Sequence, residues 1–236
     1  MGETVVIAGV GPGLGAALAR RFAVEGCQIA LFARSGDYLD TLADELNAAP
    51  GTVLAVPVDV TDPDAVTAAF ATVREAFGPV SVLINNASDS AWKGVRDISL
   101  SEFEHAWRVA AVGSLLCTQA VLPDMLESGS GTIIFTGATS SIRGREGAVG
   151  FSAAKFAVRG MAESMARELG PEGIHVAHVV IDGRIRDPSV SDADVNGDPY
   201  QYLNPESIAN SYWHLVQQPP DTWTLELDVR PHVETF

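Results

Sequence analysis

Three glycines, Gly9, Gly13 and Gly15, fall in the run Ala8-Gly9-Val10-Gly11-Pro12-Gly13-Leu14-Gly15, directly behind the apolar stretch that starts at Thr4. A glycine turn between a strand and a helix lets the backbone approach a pyrophosphate, and the partial positive charge of the helix amino terminus attracts it. The spacing is Gly-x-x-x-Gly-x-Gly, not the Gly-x-Gly-x-x-Gly of the commoner dinucleotide fingerprint; taken alone, it also fits an ordinary tight turn. About 20 residues further on, an NAD site places a carboxylate against the ribose 2′-hydroxyl, but here the sequence reads Ala33-Arg34-Ser35. The guanidinium fork of Arg34 suits a 2′-phosphate, which a carboxylate would repel. The expected dinucleotide is therefore NADP, with Asp37 nearby keeping NAD open.

The elements that must position these residues follow from periodicity. Short apolar runs at 4–8, 28–33, 53–58, 80–85, 132–136 and 175–181 read as strands. Between them, helical spacing is found at 14–25, 38–47, 63–77, 100–127 (broken near Pro123) and 150–169. Alternating strands and helices predict right-handed crossovers and a parallel sheet, hence a doubly wound, Rossmann-type α/β fold with helices on both faces. Such sheets bind ligands at the carboxyl ends of their strands. The polar segment 184–205 leaves one of those ends and is expected to form a substrate lid; a short helix at 205–216 and a strand-like 224–229 come after it. One domain over 1–236 is the expectation.

The glycine spacing resembles that of the short-chain dehydrogenase/reductase family, Thr-Gly-x-x-x-Gly-x-Gly, with Ala8 in the place of the Thr. Further matches occur in family order: Asp59-Val60, Asn85-Asn86-Ala87 and Lys155. The resemblance implies that Gly9, Gly13, Leu14 and Gly15 hold the phosphates and that Asp59 and Val60 contact the adenine. It implies further that Asn85 and Ala87 line the adenosine side, where Ser88 replaces the family's Gly. Lys155 would bond the nicotinamide ribose, and Gly183 and Ile185 would lie beside the nicotinamide, preceded by Asp182 where the family has Pro.

At the reaction centre the same resemblance predicts losses. The family's catalytic Tyr, four residues before the Lys, corresponds to Phe151, which has no proton to give. Its Ser, thirteen residues earlier, corresponds to Ala138, and its Asn to Ala110. Ser140, Ser141, Ser152, Tyr200, Tyr202 and Asp182 are the candidates for a replacement, with Ser140 carried as a site residue. Loss of a general acid costs about 10² to 10⁴ in rate, which leaves room for slow hydride transfer to an activated carbonyl, imine or conjugated alkene. Three functions stay open: an NADP-dependent oxidoreductase with an atypical site, an inactive NADP-binding sensor or partner subunit, or a non-redox enzyme, such as a lyase, in which the dinucleotide is structural or absent.

Composition narrows the partners. Fifteen basic and thirty acidic residues give a net charge of −15, which disfavours nucleic acid and anionic membrane surfaces. The amino terminus carries no export pattern, and no apolar run in the sequence is read as a membrane span, so a cytoplasmic protein is expected. Cys27 and Cys117 are far apart, without a metal motif, and no metal is expected. A small-molecule substrate is expected. The small and apolar residues on several faces of 150–169 predict a homo-oligomer, dimer or tetramer, through the pair of helices that form the dimer interface in the family.

Overall fold

The computed structural model describes residues 2–89, 91–186 and 202–234. Side chains alternate across each strand, and in the first strand, β1 (Thr4–Ala8), Val5 and Ile7 enter one core while Val6 and Ala8 enter another. A strand apolar on both faces needs a layer of helices on each side, and the rest of the chain supplies them. In order come α1 (Leu14–Val24), β2 (Gln28–Ala33), α2 (Gly36–Leu46), β3 (Thr52–Pro57), α3 (Pro63–Phe77) and β4 (Val82–Asn85). Next are α4 (Leu100–Trp107), a π-helical turn (Arg108–Val112), α5 (Gly113–Ser128), β5 (Gly131–Thr136), a 3-10 turn (Thr139–Ser141), α6 (Val149–Leu169) and β6 (Ile174–Ile181). The short strands β7 (Arg184–Ile185) and β8 (Tyr202–Leu203) precede α7 (Pro205–Val216) and β9 (Glu226–Val229).

Seven strands form one sheet in the order β3-β2-β1-β4-β5-β6-β9, and every pairing is parallel. One core holds Leu18 and Phe22 of α1, Leu39 of α2 and Ile208 and Tyr212 of α7; the other holds Phe70 of α3, Cys117 and Val121 of α5 and Val158 of α6. This is the expected doubly wound α/β fold. The order runs outward from β1 in one direction and from β4 in the other, so the crevice between these two strands is the switch point of the sheet.

Two expectations are corrected within the long helical stretch. The interruption is the π-helical turn Arg108–Val112, while Pro123 lies inside α5. A π turn inserts one extra residue and rotates the helix beyond it, which brings Gly113 against Val60: a Cβ on Gly113 would stand 2.8 Å from Val60 Cγ2. In addition, Leu100–Ser128 runs as one rod long and apolar enough, by length and composition, to cross a membrane. Its apolar side packs instead on the sheet, through Ala110, Cys117, Val121 and Met125. Most of the expected lid, 187–201 with Tyr200, lies outside the described residues; its two ends meet as the parallel pair β7 and β8.

Candidate active site

The turn after β1 is built by close approach. Gly9 has φ +103°, a region that side chains rarely occupy, and a Cβ there would lie 2.3 Å from Ala87 N. Asn86 Nδ2 donates to Gly9 O at 2.7 Å and fixes the turn against the end of β4. Gly15 packs on the same turn, where a Cβ would stand 2.7 Å from Val10 Cα. Gly11 and Gly13 behave differently: a Cβ on either would meet nothing within 4 Å and would project into open space.

That space is a cleft of ≈560 Å³ whose wall includes Gly9, Gly13, Leu14, Gly15, Ala87 and Ser88. Asn204, Asp62 and Ser99 cap α7, α3 and α4 with their side chains, but no side chain among the described residues caps α1, and its first turn has no acidic residue. Its amino-terminal N–H groups and partial positive charge are thus available to an anion in the cleft. Arg34, Asp59 and Val60 line the far end. The Thr61 backbone N–H and hydroxyl donate to Asp59 Oδ1 at 2.9 and 2.8 Å. These bonds, the backbone one foremost, hold the Asp59 carboxyl below its usual range, and Arg34 nearby acts in the same direction. The glycine cradle and the uncapped helix together fit the pyrophosphate of a dinucleotide.

A second chamber of ≈290 Å³ shares Leu14, Asn86 and Ser88 with the cleft. Lys155, Phe151, Ala138, Ser140, Gly183 and Ile185 all line it, so the sequence-predicted residues of the reaction centre do converge. Lys155 is 3% exposed and donates to Thr136 O at 2.8 Å. Burial lowers its ammonium to about pKa 8. Thr136 is itself fixed by a 2.8 Å hydrogen bond between its hydroxyl and Tyr212 of α7. Phe151, one turn before Lys155 on α6, has its ring 5.7 Å from Lys155 Nζ and 4.8 Å from the ring of Trp92.

Several residues sit elsewhere than the sequence suggests. Asn85 lies behind the cleft wall, its Nδ2 3.4 Å from Thr118 Oγ1, and its neighbour Asn86 does the lining. Ala110 is buried in the π-helical turn, next to Val109, which lines the cleft. Asp182, considered as a proton source, is fully buried and turned away from the chamber: it accepts from Thr139 Oγ1 at 2.7 Å and from Arg143 Nη2 at 3.0 Å, with Arg230 Nη1 3.5 Å away. Ser152 Oγ accepts from Arg145 N at 3.3 Å, and Tyr202 is outside the chamber. Sequence reasoning missed Asn86 as the clamp on the glycine turn, Trp92 as the partner of Phe151, and Arg145 on the chamber wall. Trp92 and Arg145 sit outside any periodic segment and left no signal; Asn86 was visible beside Asn85.

The residue pattern of short-chain dehydrogenases matches residues 3–185. An uncharacterised oxidoreductase of Staphylococcus aureus strain N315 is 30% identical over 229 residues, 97% of each chain. Among solved structures, a short-chain dehydrogenase from Rhodopseudomonas palustris superposes with a TM-score of 0.84 at 35% identity, covering 98% of this chain and 99% of that one. An alcohol dehydrogenase from Thermococcus sibiricus, complexed with 5-hydroxy-NADP, gives a TM-score of 0.86 at 26% identity over 99% and 98% of the two chains. With the parallel sheet, the glycine turn at its switch point and a match over most of its length, the chain belongs to the short-chain dehydrogenase/reductase family of oxidoreductases.

Proposed function

We propose that this protein is an NADP(H)-dependent oxidoreductase that moves hydride between the cofactor and a small carbonyl compound, alcohol or activated alkene. Phe151, Ala138 and Ala110 stand at the positions of the family's Tyr, Ser and Asn. The observation that carries this reading is the continuity of cleft and chamber through Leu14, Asn86 and Ser88. A dinucleotide with its phosphates on the α1 amino terminus then has its nicotinamide end at Lys155. The bound cofactor supplies or accepts hydride at its nicotinamide ring. Gly9, Gly13, Leu14 and Gly15 would hold the pyrophosphate, Arg34 the 2′-phosphate, and Asp59 and Val60 the adenine. Asn86 and Ala87 would line the adenosine side, and Gly183, Ile185 and Lys155 the nicotinamide ribose and ring. The 5-hydroxy-NADP complex of the T. sibiricus relative agrees with this choice of dinucleotide.

A second reading, an NADP-holding sensor or non-catalytic partner subunit, is favoured by one specific contact. The Phe151 ring, in the place of the phenol, packs on Trp92 at 4.8 Å, and neither ring carries a group that exchanges a proton in the physiological range. Titration with NADPH and NADH, followed by NADPH oxidation over a panel of carbonyls and enones, separates the two. Micromolar NADPH binding with turnover that Lys155→Ala reduces supports the oxidoreductase. Binding without turnover supports the sensor, and failure to bind either dinucleotide overturns both. For the dinucleotide itself, Arg34→Glu is expected to weaken NADPH at least about tenfold while leaving NADH within a few-fold; equal weakening of both would remove the 2′-phosphate role.

Self-association belongs to the same reading. Of eleven exposed large apolar side chains among the described residues, six lie on the α4–α5 rod and α6: Leu100, Trp107, Leu115, Leu126, Val149 and Phe156. Their concentration on two neighbouring helices supports that face as the contact between copies of the chain.

A further inference from the structure

Ser140 and Ser141 are adjacent and both buried, yet their hydroxyls are in different states. Ser141 Oγ accepts from Ala138 N at 3.0 Å and so closes the 3-10 turn. Among the described residues Ser140 Oγ has no hydrogen-bond partner although the residue is only 1% exposed, and Ser140 lines the same chamber as Lys155. An unsatisfied buried hydroxyl is destabilising, so a ligand that completes it gains what the free protein forgoes. Lys155 has donors in reserve as well: an ammonium offers three, and among the described residues its acceptor is Thr136 O. The other polar groups on the wall are poor proton sources. Thr139 already donates to Asp182, the Thr136 hydroxyl pairs with Tyr212, Asn86 holds Gly9, Arg145 is a donor only, and the exposed Ser88 hydroxyl, at the junction with the cleft, can bond to solvent.

We propose that Ser140 and Lys155 form a displaced catalytic pair, in which Ser140 Oγ donates a hydrogen bond to the substrate's carbonyl oxygen and Lys155 Nζ delivers the proton to it directly. The inference rests on the oxidoreductase reading. In the reducing direction a C–H bond forms at the carbonyl carbon with hydride from NADPH, and the C=O π pair moves onto oxygen. That oxygen takes a proton as one N–H bond of Lys155 breaks. NADPH becomes NADP⁺, the carbonyl becomes an alcohol, and the neutral amine regains its proton from solvent. Ser140 lies two residues beyond Ala138, so the hydroxyl role moves along the turn instead of vanishing. The burial that brings the Lys155 ammonium to about 8 makes it a better acid near neutral pH than an exposed lysine.

The experiment uses the full chain with NADPH and the activated diketone phenanthrenequinone, and reads melting temperature, NADPH affinity and the pH profile of turnover together. Ser140→Ala removes an unpaired group, so its melting temperature should stay level or rise and NADPH affinity should hold, while kcat falls about 10–100-fold. Ser141→Ala, by contrast, should lower the melting temperature because Ala138 N–H loses its acceptor. Wild-type reduction should fall as pH rises above about 8, where Lys155 loses its transferable proton. Lys155→Arg keeps the cation but cannot give up a proton, and should be slow with no such alkaline limb. Wild-type turnover equalled by Ser140→Ala, or an alkaline limb retained in Lys155→Arg, overturns the pair while leaving the oxidoreductase reading intact. Absence of wild-type turnover, with NADPH bound, overturns both.

Discussion

At the residue scale, the buried Lys155 ties stability to pH. Its folded-state pKa of about 8 lies below that of an exposed lysine, so the unfolded chain binds more protons between roughly pH 8 and 10.5 and stability rises with pH across that window. Below it the full desolvation cost is present, at about 1.4 kcal/mol per pKa unit. Lys155→Met should therefore melt higher than wild type at pH 7, and the difference should shrink by pH 10. A difference independent of pH would mean that the ammonium is solvated in the folded protein. Gly9 makes the opposite case. At φ +103°, with the Ala87 backbone 2.3 Å from any Cβ, Gly9→Ala must move β4 or the turn. Loss of dinucleotide binding and a melting temperature several degrees lower are expected by calorimetry and titration. The sequence already pointed to Gly9 through its spacing and to Lys155 through its place in family order. It was silent on whether Ser140 or Ser141 would be left without a partner, because that depends on which hydroxyl the turn directs at Ala138 N.

At the element scale, the strands were legible because their apolar runs are short, uninterrupted and bounded by glycine, proline and aspartate. The π-helical turn was not, since one extra residue between Arg108 and Val112 shifts the apolar spacing by a single position, which reads like the ordinary alternation of i+3 and i+4 steps along a helix. The ends of β5 and β6 show how elements position the site. Asp182, just past β6, gathers Thr139 from the 3-10 turn, Arg143 from the loop after it, and Arg230 from the end of β9. One buried carboxylate thus ties the chamber wall to the carboxyl-terminal strand, a role that a Pro at this position would not fill. Removing one partner of a buried ion pair costs about 3–5 kcal/mol; Arg143 is 39% exposed, so solvent reduces that figure here. Asp182→Asn should cost about 1–3 kcal/mol, or roughly 2–4 °C of melting temperature per kcal/mol in a chain of this size. It should also slow turnover by loosening the turn that carries Ser140. An unchanged melting temperature would show that the three elements hold without the carboxylate.

At the scale of the whole molecule, the sheet sets the site before any side chain does. The order β3-β2-β1-β4-β5-β6-β9 opens a crevice at the carboxyl ends of β1 and β4, and α1 presents its uncapped amino terminus there. The same architecture leaves the α4–α5 rod and α6 on the outside of their layer, with Trp107, Leu115 and Phe156 each more than a third exposed. Full exposure of an apolar side chain of this size forgoes about 1.5–3 kcal/mol relative to full burial, so the roughly two-fifths exposed here forgoes about 1 kcal/mol. A two-fold contact that covers several of them on both copies gains each contribution twice. Charge works against contact elsewhere, because a net −15 makes two copies repel over most of their surface. The bare apolar helices are therefore the face proposed for contact between copies, and rising salt should strengthen such a contact by screening that repulsion. Phe156→Glu would bring a carboxylate from each copy into the contact and should convert a dimer or tetramer into a smaller species in light scattering, without lowering the melting temperature of the isolated fold. A wild-type mass equal to one chain at micromolar concentration would remove self-association from the proposal, and an unchanged mass in Phe156→Glu would move the contact to another face.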